Sequence, residues 1–270
     1  MSWSGADMIV IAAIALIGGC LGGLLGLGGS VFIIPALTLS FGPNQHLYQA
    51  AALVANVFVA AAASMRHRGR GTIRRDIVPV MALSAGSAAL LGVLVSNAIP
   101  AKPLMAMFGV FLCYCALAEG ISLLRRKPDQ EEPEIRNSPR SLSALIGAVG
   151  GFASGLLGIG GGAIMVPLLR KSAKLPMRQA VASSAVAMIA ACVIGAFAKN
   201  ASIGSLQSVS GEPLSAKSSL LLAALLAPAA MLGGNIGATL VYRFPVDLTR
   251  GVLALLLGFA GTRMVLTGLG

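Results

Sequence analysis

Long apolar runs separated by short polar clusters dominate the chain. Stretches of about 20 mostly apolar residues, the length a transmembrane helix needs, lie at roughly 8–26, 47–65, 76–96, 103–124, 141–158, 177–198, 218–241 and 248–268. These predict eight full membrane spans. Two shorter apolar pieces, about 30–42 and 162–169, each follow a glycine-rich turn and are too short to cross alone. They read as broken or half helices. The first run, including Ile17-Gly18-Gly19-Cys20, superficially resembles a signal peptide. No Lys or Arg precedes it, whereas a signal peptide starts with a positive region, so a retained first helix is the expectation.

Composition supports the same class. Of 270 residues 56% are hydrophobic and 11% charged, less than half the charged share of about 25% in an ordinary soluble domain. An integral membrane protein is the economical reading, and disorder or a disulfide scaffold is excluded. The four cysteines all fall in apolar runs and behave as small hydrophobes. The formal charge of +11 would point a soluble protein toward nucleic acid. Here the basic residues sit in short clusters between spans, which fits orientation in a bilayer and argues against a nucleic-acid partner.

The chain also repeats itself. Gly23 to Leu37 aligns with Gly155 to Leu169 at one offset, and eight of the fifteen positions are identical. Gln49-Ala50 matches Gln179-Ala180, while Gly92 and Pro100 match Gly237 and Pro245. An internal duplication follows, with repeat 1 at 1–124, a hydrophilic cytoplasmic linker at 125–140 and repeat 2 at 141–270. Charge then orients the copies. The loop with Arg66, Arg68, Arg70, Arg74 and Arg75 is basic, but its counterpart at about 200–216 has no Lys or Arg; residues 42–48 have none, whereas 170–178 hold Arg170, Lys171, Lys174 and Arg178. Five membrane elements per repeat, an odd number, invert the second copy. Sixteen of the twenty Lys and Arg then share the cytoplasmic side, with both termini outside, and only Lys102, Lys199, Lys217 and Arg263 lie opposite. The predicted fold is an all-α polytopic membrane protein of two inverted repeats, the architecture of many secondary transporters.

Chemistry inside the spans is sparse. Glu119 and Arg263 are the ionisable exceptions, each near enough to a span end to snorkel. His46 and His67 are assigned to loops, so a metal site lacks its usual ligands, and no cofactor motif or hydrolase constellation is present. The glycine turns are the best candidates: a helix that starts inside the membrane exposes unpaired N–H groups and a positive dipole end that suit an anion. Gly26, Gly28, Gly29 and Ser30, with Gly158, Gly160, Gly161 and Gly162, are predicted to form two facing cradles, and Pro35 and Pro167 to end or kink the short helices that follow. The upstream stripes, Gly18, Gly22 and Gly26, and Gly147, Gly151 and Gly155, have the four-residue spacing of helix packing. Asn56, Ser183 with Ser184, and Asn235 are secondary candidates for hydrogen bonds to an oxyanion. Ser183 and Ser184 fall within two or three residues of the repeat position of Asn56.

The twice-occurring pattern G-L-L-G-[LI]-G-G-x-x-x-[IM]-[IV]-P, with its basic loop and central linker, resembles the sulfite exporter TauE/SafE family of membrane permeases over essentially the whole chain. The resemblance implies a multi-pass inner-membrane carrier of small sulfur-containing anions such as sulfite, sulfoacetate or other organosulfonates, not an enzyme. It implies a proton or sodium as coupling ion, and Gly26 to Ser30, Pro35, Asn56, Gly158 to Gly162, Pro167, Ser183 and Ser184 as the pathway. Ser30 departs from the motif where repeat 2 has Gly162, which makes the two half-sites unequal. Membrane lipids are the surrounding partners, and a homo-oligomer is compatible with the pattern. An anion channel, and a non-transporting scaffold or sensor using the basic loops, are the alternatives.

Overall fold

A computed structural model describes residues 3–25, 28–68, 72–124, 139–209, 211–240 and 246–270. The helices are α1 (Gly5–Leu25), α2 (Ser30–Phe41), α3 (Gln45–Arg68), α4 (Val78–Ala98), α5 (Ala101–Leu124), α6 (Arg140–Leu157), α7 (Gly162–Lys171), α8 (Met177–Ser202), α9 (Ala216–Leu240) and α10 (Val246–Leu269). Among the described residues β-type pairing is confined to one isolated bridge, Gln207 with Pro213. Helices are what lipid demands, since a spanning segment must satisfy its own N–H and C=O groups.

Among the described residues seven helices, α1, α3, α4, α5, α6, α8 and α9, are long and apolar enough to cross a membrane. The two pieces expected to be short are short, with 12 residues in α2 and 10 in α7. The stretch at 248–268 is helical as expected, with its apolar part at Ala254–Leu269. Pro35 and Pro167 lie inside α2 and α7. Large apolar side chains such as Leu83, Phe197 and Leu255 stand exposed on the periphery, which suits hydrocarbon and would be an aggregation liability in water.

Helices α1 and α2 form a hairpin. A Cβ on Gly18 would strike Ile33 and one on Gly22 would strike Gly28 and Gly29, so α2 runs back along α1. An edge-to-face contact between Trp3 and Phe41, with centroids 5.2 Å apart, closes the open end. Helices α6 and α7 repeat the arrangement, with Gly150 against Met165 and Gly161. Each hairpin returns the chain to the face it left, and α3 or α8 then crosses the bundle.

Specific contacts define the two faces. Arg66 donates to the Asn235 carbonyl and Thr239 Oγ1, placing the ends of α3 and α9 together. At the opposite face Asn97 donates to Ser202 Oγ, and Lys102 Nζ reaches the Gly270 carbonyl. Gly233 and Gly237 of α9 meet Leu16 and Cys20 of α1, so these helices run parallel and α1 begins at the Lys102 face. Both described chain ends therefore lie on that face.

The closest interfaces join early helices to late ones: α1 with α9, α4 with α6, and α5 with α10. Glycine makes all three possible, Gly109 of α5 lying against Gly261 of α10 in the last. Side chains on Gly147, Gly151 and Gly155 of α6 would land on the carbonyls of Met81, Ala85 and Ala89 of α4. This four-spaced stripe is a packing device, as its spacing predicts, and lets backbones approach where lipid offers no hydrophobic drive for association.

Candidate functional site

Two left-handed turns meet in the middle of the bundle. Gly28 has φ of +86°, and Gly158, Gly160 and Gly161 have φ of +77°, +77° and +84°, a region costly for residues with a Cβ. Gly158 ends α6, its N–H donating to the Ser154 carbonyl at 2.8 Å, and Gly161 precedes α7. A Cβ on Gly28 would sit 3.1 Å from the Ile159 carbonyl and 3.3 Å from Met188 Cε; one on Gly160 would lie 2.9 Å from both Asn56 Nδ2 and Met188 Cε. The turns thus face one another across Asn56 of α3 and Met188 of α8.

The polar atoms there are few. Asn56, 1% exposed, donates from Nδ2 to Ser30 Oγ at 2.8 Å, and its Oδ1 is buried with no hydrogen-bond partner among the described residues. At the start of α2 the N–H groups of Phe32 and Ile33 both go to the Gly29 carbonyl; at the start of α7 those of Ile164 and Met165 both go to Gly161. The helices thus leave the N–H groups of Ser30, Val31, Gly162 and Ala163 to other acceptors. Their dipole ends favour negative charge.

The other sequence candidates are distributed differently. Gly26 lies outside the described residues. Gly29, Ser30 and Gly162 are buried at the two helix starts. Ser183 Oγ accepts from the Arg74 backbone N–H, and Ser184 Oγ donates to the Val181 carbonyl of its own helix. Among the described residues neither hydroxyl is bonded to the glycine turns; from α8 it is Met188 that reaches them. Asn235 lines a narrow cleft with Gly22, Gly23, Gly28, Arg66 and Met188. The cleft encloses about 40 Å³ and leads from the Arg66 face toward the Gly28 turn.

A wider basin of about 700 Å³ lies beside it, lined by Arg68, Arg74, Arg75 and Asp76. Arg74 grips Asp76 bidentately, at 2.8 Å and 2.6 Å. This hydrogen-bonded pairing holds the Asp76 carboxyl below its ordinary range and raises the guanidinium above its own. The pair stabilises the fold above the unfolded carboxyl's range, near pH 4, and the contribution fades as pH falls through the lowered value. Asp76 is half exposed, so Asp76→Asn should cost less than about 1 kcal/mol at neutral pH. Thermal unfolding of both proteins between pH 7 and pH 3 checks this, with the small difference vanishing at the acid end.

Sequence reasoning placed His46 and His67 in loops, and the structure corrects this: α3 begins at Gln45 and runs to Arg68. The polar segment Gln45-His46-Leu47-Tyr48-Gln49 forms its first turns, with Tyr48 donating to the Gly42 carbonyl. Gln49 was also missed as a site residue, although its match to Gln179 was a signal. It packs against Gly158, donates from Nε2 to the Leu156 carbonyl and accepts at Oε1 from Ser96.

Comparison with known proteins places the chain among membrane transporters. The family model described as "Sulfite exporter TauE/SafE" matches residues 11–264. The "Probable membrane transporter protein MamO" of Paramagnetospirillum magneticum is 27% identical over 97% of this chain and 45% of its own length. YunE of Bacillus subtilis, also named as a probable membrane transporter, is 24% identical over 97% of this chain and 99% of its own. A relative in Methanocaldococcus jannaschii with the same description is 31% identical over 65% of this chain. The chain thus spans about half the length of the MamO relatives and nearly all of YunE. No solved structure matches.

Proposed function

This chain belongs to the sulfite exporter TauE/SafE family, and from that premise we propose that it is a secondary carrier exporting a small sulfur-containing anion, such as sulfite, sulfoacetate or another organosulfonate. The anion binds between the two glycine turns, and two inverted halves alternate access to it. The Arg66 face, with its basic loop, is the cytoplasmic side of a bacterial inner membrane, and both described chain ends lie outside. The interlocking of α1 with α9 and of α6 with α4 supports the inverted pairing.

The observation that carries the reading is the meeting of the Gly28 and Gly160 turns around Asn56. Two helix starts directed at one point offer N–H groups and partial positive charge to an oxyanion, with no fully buried arginine among the described residues. Glycine lets the anion approach the backbone. The arrangement is that of discontinuous-helix transporters, whose half-helix N-termini point at anionic groups. The narrow cleft and basic basin at the Arg66 face supply entry and electrostatic attraction.

Energetics favour export. A cytosol-negative potential drives an anion outward by about 2.3 kcal/mol per charge per 100 mV, so export needs little coupling, whereas import requires a cotransported proton or sodium. Proteoliposomes loaded with sulfite, sulfonates, sulfate or thiosulfate test the proposal. Saturable flux with counterflow is expected for a carrier; flux without either marks a channel, and no anion flux rejects the proposal. Asn56→Ala should lower flux about tenfold, the equivalent of one hydrogen bond to a charged group.

A further inference from the structure

The two crossing helices each carry a basic side chain toward the face at which they end. On α3 it is Arg66, at the mouth of the inner cleft. On α8 it is Lys199, which is completely buried. Lys199 Nζ donates to Ser96 Oγ at 2.8 Å and Asn97 Oδ1 at 2.8 Å, and lies 3.0 Å from His46 Nδ1. Among the described residues no carboxylate lies within ion-pairing distance of Lys199.

The cluster is connected to the glycine turns. Ser96, which accepts from Lys199, donates to Gln49 Oε1 at 3.2 Å, and Gln49 Nε2 donates to the Leu156 carbonyl at 3.2 Å. Gln49 itself lies against Gly158. A continuous line of polar side chains therefore runs from the Lys102 face to the Gly158–Gly161 turn. Beside His46, Asn44 Oδ1 and both amide atoms of Gln45 are buried with no partner among the described residues, as is Asn200 Oδ1 beside Lys199. Asn44 in turn lines a hollow of about 460 Å³ at that face.

A structural pin between α3, α4 and α8 would not need a charge. Burying an ammonium among neutral partners is costly, and an uncharged hydrogen-bonding residue would tie the same helices more cheaply. A cation held by groups that can exchange for anion oxygens is what an exit pathway requires. We infer that Lys199, with Ser96 and Asn97, is a second anion-binding station on the Lys102 side of the pathway. In the conformation described here this side is closed, and Ser96, Asn97 and His46 hold the positions around Lys199 that oxyanion oxygens take when it opens. The inference rests on the transport reading and adds a residue that acts on one side only.

The test is sided. In uniformly oriented proteoliposomes, Lys199→Gln should raise the half-saturating sulfite concentration at the Lys102 face about tenfold, the effect of losing one charged hydrogen-bond partner. The value at the Arg66 face should stay within about twofold, inside the usual scatter of such energies. Lys199→Arg should recover most of the loss. Ser96→Ala, which keeps the charge, should shift the same face by a smaller factor and serves if Lys199→Gln is not recovered as monodisperse protein. Equal shifts at both faces, or none, overturn the inference while leaving the carrier intact. A wild-type protein that moves no anion overturns the transport reading and this station with it.

Discussion

Gly160→Val should bring anion flux to the background of empty liposomes while the protein still inserts and purifies as a monodisperse species. Gly160 has φ of +77°, and its Cβ would stand 2.9 Å from Asn56 Nδ2 and from Met188 Cε. The added atoms fill the space between the two turns through which an anion would touch the backbone. The left-handed conformation adds a stability cost of about 1–2 kcal/mol. That cost is bearable for the fold because one of the crowded atoms is the end of a flexible methionine. Gly204→Ala is the matched control: nothing lies within 4 Å of its Cβ position, and neither flux nor stability should change. Flux and monodisperse yield measured side by side decide the matter. A Gly160→Val protein that transports normally would remove the turn from the pathway, and a parallel loss of folded protein would make it a packing element.

The second large effect is opposite in kind. Gly155→Leu should abolish folded protein, or lower stability by about 3 kcal/mol or more, at the upper end of overpacking costs. The Cβ would land on the Ala89 carbonyl and lie 2.8 Å from the Val93 nitrogen. Both obstacles are backbone atoms of a neighbouring helix, so relief means separating α6 from α4 along much of their length. Gly151→Leu meets the same obstacle at Ala85. Thermal unfolding in detergent, with recovery by size-exclusion chromatography, provides the measurement. Gly155 and Gly160 are five residues apart, yet the first should fail in folding and the second in transport.

Much of the architecture was legible in the chain. Helix ends observed at Leu25, Ala98, Leu157 and Ser202 lie within a few residues of those read from hydropathy, because lipid filters segments by length and apolarity alone. The breaks before α2 and α7 were equally plain, since consecutive glycines off the four-residue stripe cannot serve one packing face. Ser183 and Ser184 illustrate the limit. Their repeat position suggested a counterpart to Asn56, but the rotation of α8 gives Ser183 to Arg74 and presents Met188 to the turns. From the chain alone His46 reads as a loop residue and Lys199 as an outward charge, and only the junction of α3, α4 and α8 brings them within 3.0 Å.

The sequence by itself determined the solvent in which this protein folds, the approximate bounds of its helices and the places where helices stop short. Each is a local property, decided by whether roughly 20 consecutive residues suit hydrocarbon. Tertiary structure alone decided which helices pair, that the two turns meet around Asn56, and that a lysine is enclosed at the Lys102 face. In lipid a helix can be apolar on every side, so no hydrophobic stripe announces which face looks inward. Rotation and partner are then chosen by close backbone packing between segments more than a hundred residues apart, such as α1 with α9.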